Sequence, residues 1–246
     1  MSVLKKIWTN AKKIALVLFI GQLVYIVVLR WVDPPITFTQ LSNWIEGNGL
    51  KRDYVDWEEM SPHIKLAVMA SEDQLFPEHN GFDWKSIRKV IEDSEKKTSR
   101  SKRIRGASTI SQQVAKNVFL WNGRSWIRKG LEVYFTFMIE LVWGKERILE
   151  VYLNVAEMGK GIFGVEAASR TYFKKSALKL TRTEAAQLAA CLPNPKKYTI
   201  KPLSSTVRRR ALWIEQQMSN LGPDDEIKAL IYGLKAVKLK AQSKGK

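Results

Sequence analysis

The sequence predicts a mainly α protein preceded by one N-terminal transmembrane helix, and three observations carry that expectation. Residues 14–29 form an apolar run without a charged side chain. Several later segments repeat apolar residues at three- and four-residue spacing behind recognisable helix caps. Strict apolar–polar alternation, the mark of a half-buried strand, is scarce throughout.

In the run from Ile14 to Leu29 only Gln22 is strongly polar. With Trp31 and Val32 beyond Arg30 it approaches the ~20 residues that cross a bilayer. A buried globular helix is seldom apolar on every face. Lys5, Lys6, Lys12 and Lys13 precede the run, so the positive-inside rule places residues 1–13 in the cytoplasm, the span at 14–32 and the rest outside. Trp8 and Trp31 mark the two interfaces. No small-residue cleavage site follows; Asp33-Pro34-Pro35 does, which favours a retained anchor over a cleaved signal peptide. Residues 33–246 are then one extracytoplasmic domain, with a sizeable core or a core and a small lobe. The net charge is +17. Nucleic acid is the usual partner of so basic a chain, but a domain outside the membrane seldom meets it. An anionic bilayer or a phosphorylated substrate fits better. Cys191, the single cysteine, lies in an apolar helical stretch and belongs in the core; an internal disulfide is impossible.

Residues 61–70 read as a helix capped by Ser61, with Pro62 at its first position and Ile64, Ala67 and Val68 on one apolar face. Glu72 and Asp73 fall on its last turn. That end of the helix dipole, together with desolvation, favours the protonated acid and raises the pKa toward the range of a general base. The same position equally suits a glutamate that ends a helix on the surface. Phe76, His79 and Phe82 follow, with Pro77 and Gly81 breaking regular structure between them.

Residues 92–105 carry almost no apolar side chains and read as a solvated loop, either a flap over a cleft or a passive surface segment. The next helix starts near Gly106, with Ser108 or Thr109 as its cap. Thr109, Gln113 and Lys116 stand at i, i+4 and i+7, so a hydroxyl, an amide and an ammonium share a face, while Ile110, Val114 and Asn117 turn another way. Such a face suits an anionic ligand such as phosphate, or simply water. A long helix then runs from Gly123 to about Trp143, on which Arg128 and Glu132 are i, i+4 neighbours. Ile148, Leu149, Val151, Tyr152 and Leu153 supply helical core between Lys145 and Asn154. Gly159, Gly161 and Gly164 suggest a loop passing close to backbone or sugar. Thr181 to Glu184 is a capping box opening a helix through Leu192, which Pro193 and Pro195 end.

Five ordered stretches carry a specific resemblance. Glu72-Asp-x-x-Phe-x-x-His-x-Gly-Phe-Asp83 is followed by Gly106-x-Ser-Thr-Ile-Ser-Gln-Gln-x-x-Lys-Asn117. Arg128-Lys-Gly-Leu-Glu132, Lys145-Glu-Arg-Ile-Leu-Glu-Val-Tyr-Leu-Asn154 and Gly161-Ile-Phe-Gly-Val-Glu-Ala-Ala-Ser169 come after them. Together they resemble the signatures of the peptidoglycan glycosyltransferase family, and most nearly its monofunctional branch, since the chain ends where a penicillin-binding protein would begin its transpeptidase domain. Leu192-Pro-Asn-Pro195 also resembles the family. Ser-x-x-Lys occurs at Ser86, Ser94, Ser99 and Ser176, but without Lys-Thr-Gly or Ser-Asp-Asn these are chance matches. Val114 stands where the family more often has leucine, a core-sized change.

The resemblance implies a lysozyme-like fold with a smaller membrane-proximal lobe, and polymerisation of lipid II on a growing lipid-linked glycan. The acceptor's GlcNAc 4-hydroxyl attacks C1 of the donor MurNAc, inverting α to β and releasing undecaprenyl pyrophosphate. Glu72 matches the family's base and Glu132 a second glutamate beside the donor pyrophosphate, where it orients cations or helps hold Mg2+ or Mn2+. Asp73, Phe76 and His79 shape the pocket, with His79 supporting rather than transferring protons. Ser108, Thr109, Gln113, Lys116 and Asn117 are implied substrate contacts, joined at the leaving group by Arg124 and Arg128. No organic cofactor is implied. Membrane lipids are expected partners, met by Phe119, Trp121, Trp126 and the basic tail after Lys228, and cell-wall synthesis or division proteins are others. Two rivals stand beside this reading: a lysozyme-like hydrolase, which needs no pyrophosphate-binding face or anchor, and a non-enzymatic cationic scaffold.

Overall fold

The computed structural model describes residues 3–95, 108–123 and 125–233. In chain order the elements are α1 (Val3–Val28), α2 (Phe38–Ile45), β1 (Lys51–Arg52), a 3-10 turn (Trp57–Glu59), α3 (Pro62–Glu72), α4 (Trp84–Glu95), α5 (Ile110–Phe119), α6 (Trp126–Val142) and α7 (Lys145–Val155). Then come β2 (Glu157–Gly159), β3 (Ile162–Phe163), α8 (Val165–Phe173), a second 3-10 turn (Ala177–Lys179), α9 (Arg182–Cys191), α10 (Ser205–Leu221) and α11 (Asp225–Tyr232).

The core is assembled around α3. Ser61 caps it, accepting from the backbone N–H of His63, and every residue from Ile64 to Ala70 is buried. Burial on all sides follows from its neighbours: α9, α10 and α11 pack on it, and the shared core continues through α5 and α7. Cys191 is buried in that core. Thr109, Ser125 and Thr181 cap α5, α6 and α9, each accepting a backbone N–H in the next turn.

The predicted loop over 92–105 is corrected in its first part. Helix α4 continues through Glu95, because Asp83 caps it, accepting from the Ser86 N–H at 2.9 Å, and lysine and glutamate propagate a helix as well as apolar residues do. Residues 96–107 lie outside the described residues.

Three short strands escaped the sequence pattern. They order β1-β3-β2, with Lys51 beside Ile162 in a parallel pair and β2 antiparallel to β3. The glycines of the fifth signature meet backbone. A Cβ on Gly161 (φ +67°) would lie 2.1 Å from the Asn48 carbonyl oxygen, and one on Gly164 (φ +85°) 2.6 Å from that of Asn154.

Helix α1 also differs from the predicted span. It begins among the N-terminal lysines and ends at Val28, with Leu29–Val32 in a turn ahead of Pro34. Its C-terminal end is fastened to the domain. The Trp143 indole donates to the Ile26 carbonyl at 2.8 Å, Arg147 donates to the Leu29 carbonyl at 3.1 Å, and Gln22 donates to the Tyr134 hydroxyl at 2.7 Å. Arg147 also pairs with Asp33 at 2.9 Å. Phe119, expected to meet lipid, is drawn into this joint instead: it stacks on Phe135 at 4.7 Å and meets the edge of Tyr25 at 6.1 Å. Trp121 and Trp126 do face outward, the latter 92% exposed.

Helix α2 is built inside out. Gln40 and Asn43 are buried while Phe38, Trp44 and Ile45 are exposed. Most of the inward polar face is paired locally: Gln40 donates to the Tyr54 hydroxyl at 2.8 Å and accepts from the Thr37 N–H at 3.1 Å, while Asn43 donates to the Thr39 carbonyl at 3.1 Å and its Oδ1 is buried without a partner.

Candidate active site

The C-terminal end of α3 brings the predicted acids into the protein. Glu72 is its last residue and is partly buried. Desolvation pushes its pKa upward, and Asp73 adds to that; a hydrogen bond from Gln113 and the charge of Arg210 oppose it. The result is a carboxyl held above its ordinary range yet still partnered as an anion. Gln113 Nε2 donates to Glu72 Oε2 at 3.1 Å, and the Tyr152 hydroxyl donates to Gln113 Oε1 at 3.2 Å.

Asp73 faces the other way. Its carboxylate accepts from His79 Nε2 at 3.0 Å and from the Ile110 N–H, the first of α5, at 3.0 Å. An acid at a helix N-terminus is favourably placed. The Gly81 N–H donates to His79 Nδ1 at 3.1 Å, which leaves Nε2 to carry the proton toward Asp73. Thr109 closes the loop by donating to the Gly81 carbonyl at 2.7 Å. Gly81 sits at φ +87°, and a Cβ there would lie 2.8 Å from Thr136. Beneath the loop, Phe76 is fully buried with the Lys145 ammonium 4.5 Å above its ring. Asp73, Phe76 and His79 therefore hold the segment that follows Glu72. A cavity of ≈320 Å³ adjoins His79 and is also lined by Leu75, Phe82 and Trp84.

The shared polar face predicted on α5 is corrected at one member. Thr109 is the N-cap, 2% exposed, with its hydroxyl accepting from the Gln112 N–H, so only Gln113 and Lys116 project from the helix itself. Ser108 is exposed just ahead of the cap, and Asn117 is partly buried beside Lys116. Burial lowers the Lys116 pKa; the charges of Glu132 and Glu72 raise it, and those of Arg128 and Lys129 lower it further. Lys116 thus feels both glutamates at once.

Glu132 is 4% exposed. Arg128 binds its Oε2 at 2.8 Å and Lys129 its Oε1 at 2.5 Å. The Arg128–Glu132 pair is legible in the sequence from its i, i+4 spacing; Lys129, three residues before Glu132, is a second cation inside the same signature. Arg128 Nε is buried without a partner. Arg124 lies outside the described residues. Among the described residues no group of three or more His, Cys, Asp or Glu is placed to hold a metal. Both Glu132 oxygens are already held by cationic side chains.

Two further residues escaped sequence reasoning. Arg210 reaches the site from α10, donating to the Ala190 carbonyl at 3.3 Å and acting on the Glu72 charge. It belongs to none of the five stretches, and the run Arg208-Arg209-Arg210 resembles an ordinary solvated face. Tyr152 has the pattern of helical core and is buried, but its hydroxyl meets Gln113.

Comparison with known proteins agrees with this arrangement. A profile described as transglycosylase matches residues 39–219. A biosynthetic peptidoglycan transglycosylase of Pseudomonas aeruginosa is 49% identical over 228 residues, covering 90% of this chain and 97% of the relative. One from Shewanella oneidensis is 47% identical over 222 residues, with 89% and 94% covered. One from Mannheimia succiniciproducens is 61% identical over 170 residues, with 69% and 68% covered. A partly buried glutamate at a helix end, a cationic cluster within reach of its charge, and a matched profile over most of the chain lead to one conclusion: this protein belongs to the transglycosylase family.

Proposed function

We propose that this transglycosylase polymerises lipid II into glycan strands, with Glu72 as general base and Lys116, Arg128 and Lys129 receiving the leaving pyrophosphate. The observation that carries the reading is that α5 bridges the two halves of the site: its Gln113 donates to Glu72, and Lys116, one turn on, lies on the helix packed against α6, which carries Arg128, Lys129 and Glu132. A base and a leaving-group cluster must sit within one disaccharide of each other, and one helix bridging both halves meets that requirement. In the reaction the acceptor 4-hydroxyl gives its proton to Glu72 as its oxygen bonds to C1 of the donor. The C1–O bond to pyrophosphate breaks with its electron pair, and the new link has the β configuration. The developing negative charge falls on phosphate oxygens, where fixed cations in a desolvated site act most strongly. A Mg2+ or Mn2+ ion arriving with the diphosphate would find one protein carboxylate, Glu132, and the phosphate oxygens; no step here depends on it.

The chain is anchored by α1, whose residues from Lys5 to Val28 are long and apolar enough to cross a membrane. Lys5, Lys6, Lys12 and Lys13 support a cytoplasmic N-terminus and a catalytic domain outside the cytoplasmic membrane. The exposed apolar residues of α2, with Trp31 and Val32 leading into it, support contact with the bilayer surface next to the anchor. Cell-wall synthesis or division proteins remain the proposed protein partners.

Glu72→Gln tests the assignment. Loss of a general base lowers kcat by roughly 10²–10⁴, while removing a carboxylate that burial disfavours leaves thermal stability equal or higher. Incubation with lipid II, followed by separation of polymer from monomer, reads the first effect. Polymer formed at the parental rate would remove Glu72 from the chemistry. Cleavage of preformed glycan without polymer formation would instead mark a hydrolase.

A further inference from the structure

The hydrogen-bonded chain behind Glu72 assigns a role to a residue that the reaction itself does not require. Gln113 has two chemically different ends, and its partners tell them apart. Oε1 accepts from the Tyr152 hydroxyl at 3.2 Å and Nε2 donates to Glu72 Oε2 at 3.1 Å. Turned over, the amide would present its oxygen to the Glu72 carboxylate, two acceptors facing each other. It would also replace a phenol-to-carbonyl bond with a bond to the phenol oxygen, a poorer acceptor than a carbonyl. Tyr152 is 1% exposed. It projects from α7, the helix packed on α5, so its hydroxyl cannot turn to water for another partner.

We propose that Tyr152 is a positioning residue for the general base: its buried hydroxyl fixes the Gln113 amide so that the Nε2–H side faces Glu72. The proposal rests on the reading of Glu72 as base and adds the element that holds its partner in register. Burial pushes the phenol pKa well upward, which keeps the hydroxyl a donor wherever the enzyme works. The charged groups around Glu72 are Asp73 at the end of α3, Lys116 on α5 and Arg210 on α10, with the Tyr152 hydroxyl itself on α7. Tyr152 differs from the charged members in acting through another side chain.

Tyr152→Phe keeps the ring and removes the hydroxyl. Gln113 then loses its orienting bond, and the Glu72 carboxylate loses a steady donor. Because that donor favours the charged form of the base, the acid limb of the kcat/KM profile for lipid II polymerisation is expected to move up by about one pH unit, corresponding to a roughly tenfold lower rate below the limb. Above the limb the variant regains most of the parental rate. A cavity or a loosened helix would lower the rate at every pH and would not be rescued by alkali. Gln113→Met, which replaces the amide with an apolar chain of similar length, should move the limb likewise, and the double variant no further. An unshifted limb in both single variants, or shifts that add in the double variant, would overturn the proposal. If Tyr152→Phe fails to fold, Gln113→Met alone still decides, since an unshifted limb removes the donor from the argument. Glu72→Gln keeps the two readings apart: its loss of activity with unshifted Tyr152 and Gln113 profiles refutes only the positioning role, whereas an active Glu72→Gln enzyme refutes the base.

Discussion

Glu132→Gln tests the cationic half of the site, because the same substitution has separable effects on folding and on charge. Glu132 is the single anion held between Arg128 and Lys129. Its side chain is 5% exposed and Arg128's 13%, whereas Lys129's is 42%. The bond to Arg128 is therefore a charge-assisted contact between nearly buried groups, worth ~1.5–3 kcal/mol. The bond to Lys129 is screened by solvent and adds well under ~1 kcal/mol. Glutamine keeps an acceptor for one of them, so the net loss of stability is about 2 kcal/mol, or a fall in Tm of roughly 4–8 °C for a domain of this size. The electrostatic effect is larger in consequence. Burial holds the Lys116 pKa down, Glu132 and Glu72 hold it up, and Arg128 and Lys129 press it down again. Without Glu132 one of the two anions supporting the Lys116 charge is gone, and its pKa falls further. Lys116 then deprotonates at a lower pH, and the alkaline limb of lipid II polymerisation moves downward. Thermal unfolding and rate–pH profiles of parent and variant measure the two effects. An unmoved alkaline limb together with an unchanged Tm would show that Glu132 neither supports the cluster nor tunes Lys116, and the assignment of the pyrophosphate site would fail.

Other consequences can be checked on the same protein. Burial lowers the pKa of Lys65 to about 8, with Lys116 and Lys145 lowered in the same direction. Between about 8 and 10.5 the unfolded chain binds more protons at Lys65 than the native one, so stability should rise with pH across that window; denaturant titrations that find a flat or falling trend, equal in Lys65→Met, would contradict the burial of that charge. For α2, brominated lipids in anionic vesicles should quench a component of fluorescence that Trp44→Phe removes, and an unquenched Trp44 would place the helix in water. Gly161→Ala should cost at least ~2 kcal/mol, because a positive φ and contact with the Asn48 carbonyl act together, while Gly47→Ala at φ +73° with open space around it should cost about 1 kcal/mol. Equal losses at the two glycines would mean that the Asn48 contact relaxes without cost.

What the sequence revealed and what it withheld divide along a physical line. Ser61, Thr109 and Thr181 advertise helix starts because a cap is a local transaction between a side chain and the next turn of backbone. The Arg128–Glu132 pair is equally local, fixed by the pitch of one helix. Glu72 was legible as an acid at a helix end, but its raised pKa comes chiefly from burial, and that depends on α5 and α10 arriving beside it from 41 and more residues away. Arg210 and the Tyr152 hydroxyl were illegible for the same reason: each acquires its meaning from a partner on another helix. The strands were lost to brevity, since a two-residue pairing such as Lys51–Ile162 and Arg52–Phe163 has no periodicity to detect. Helix α2 inverts the usual rule, burying Gln40 and Asn43 and exposing Phe38, Trp44 and Ile45. A pattern scan reports amphipathicity but cannot say which face is inward. The direction is set by Tyr54, which accepts from Gln40 at 2.8 Å, and by the anchor that ends ten residues before the helix begins. Where the solvent on one side is lipid, an apolar outer face carries no penalty, and the same pattern that would be a folding error in a freely soluble domain becomes consistent with the transmembrane helix beside it.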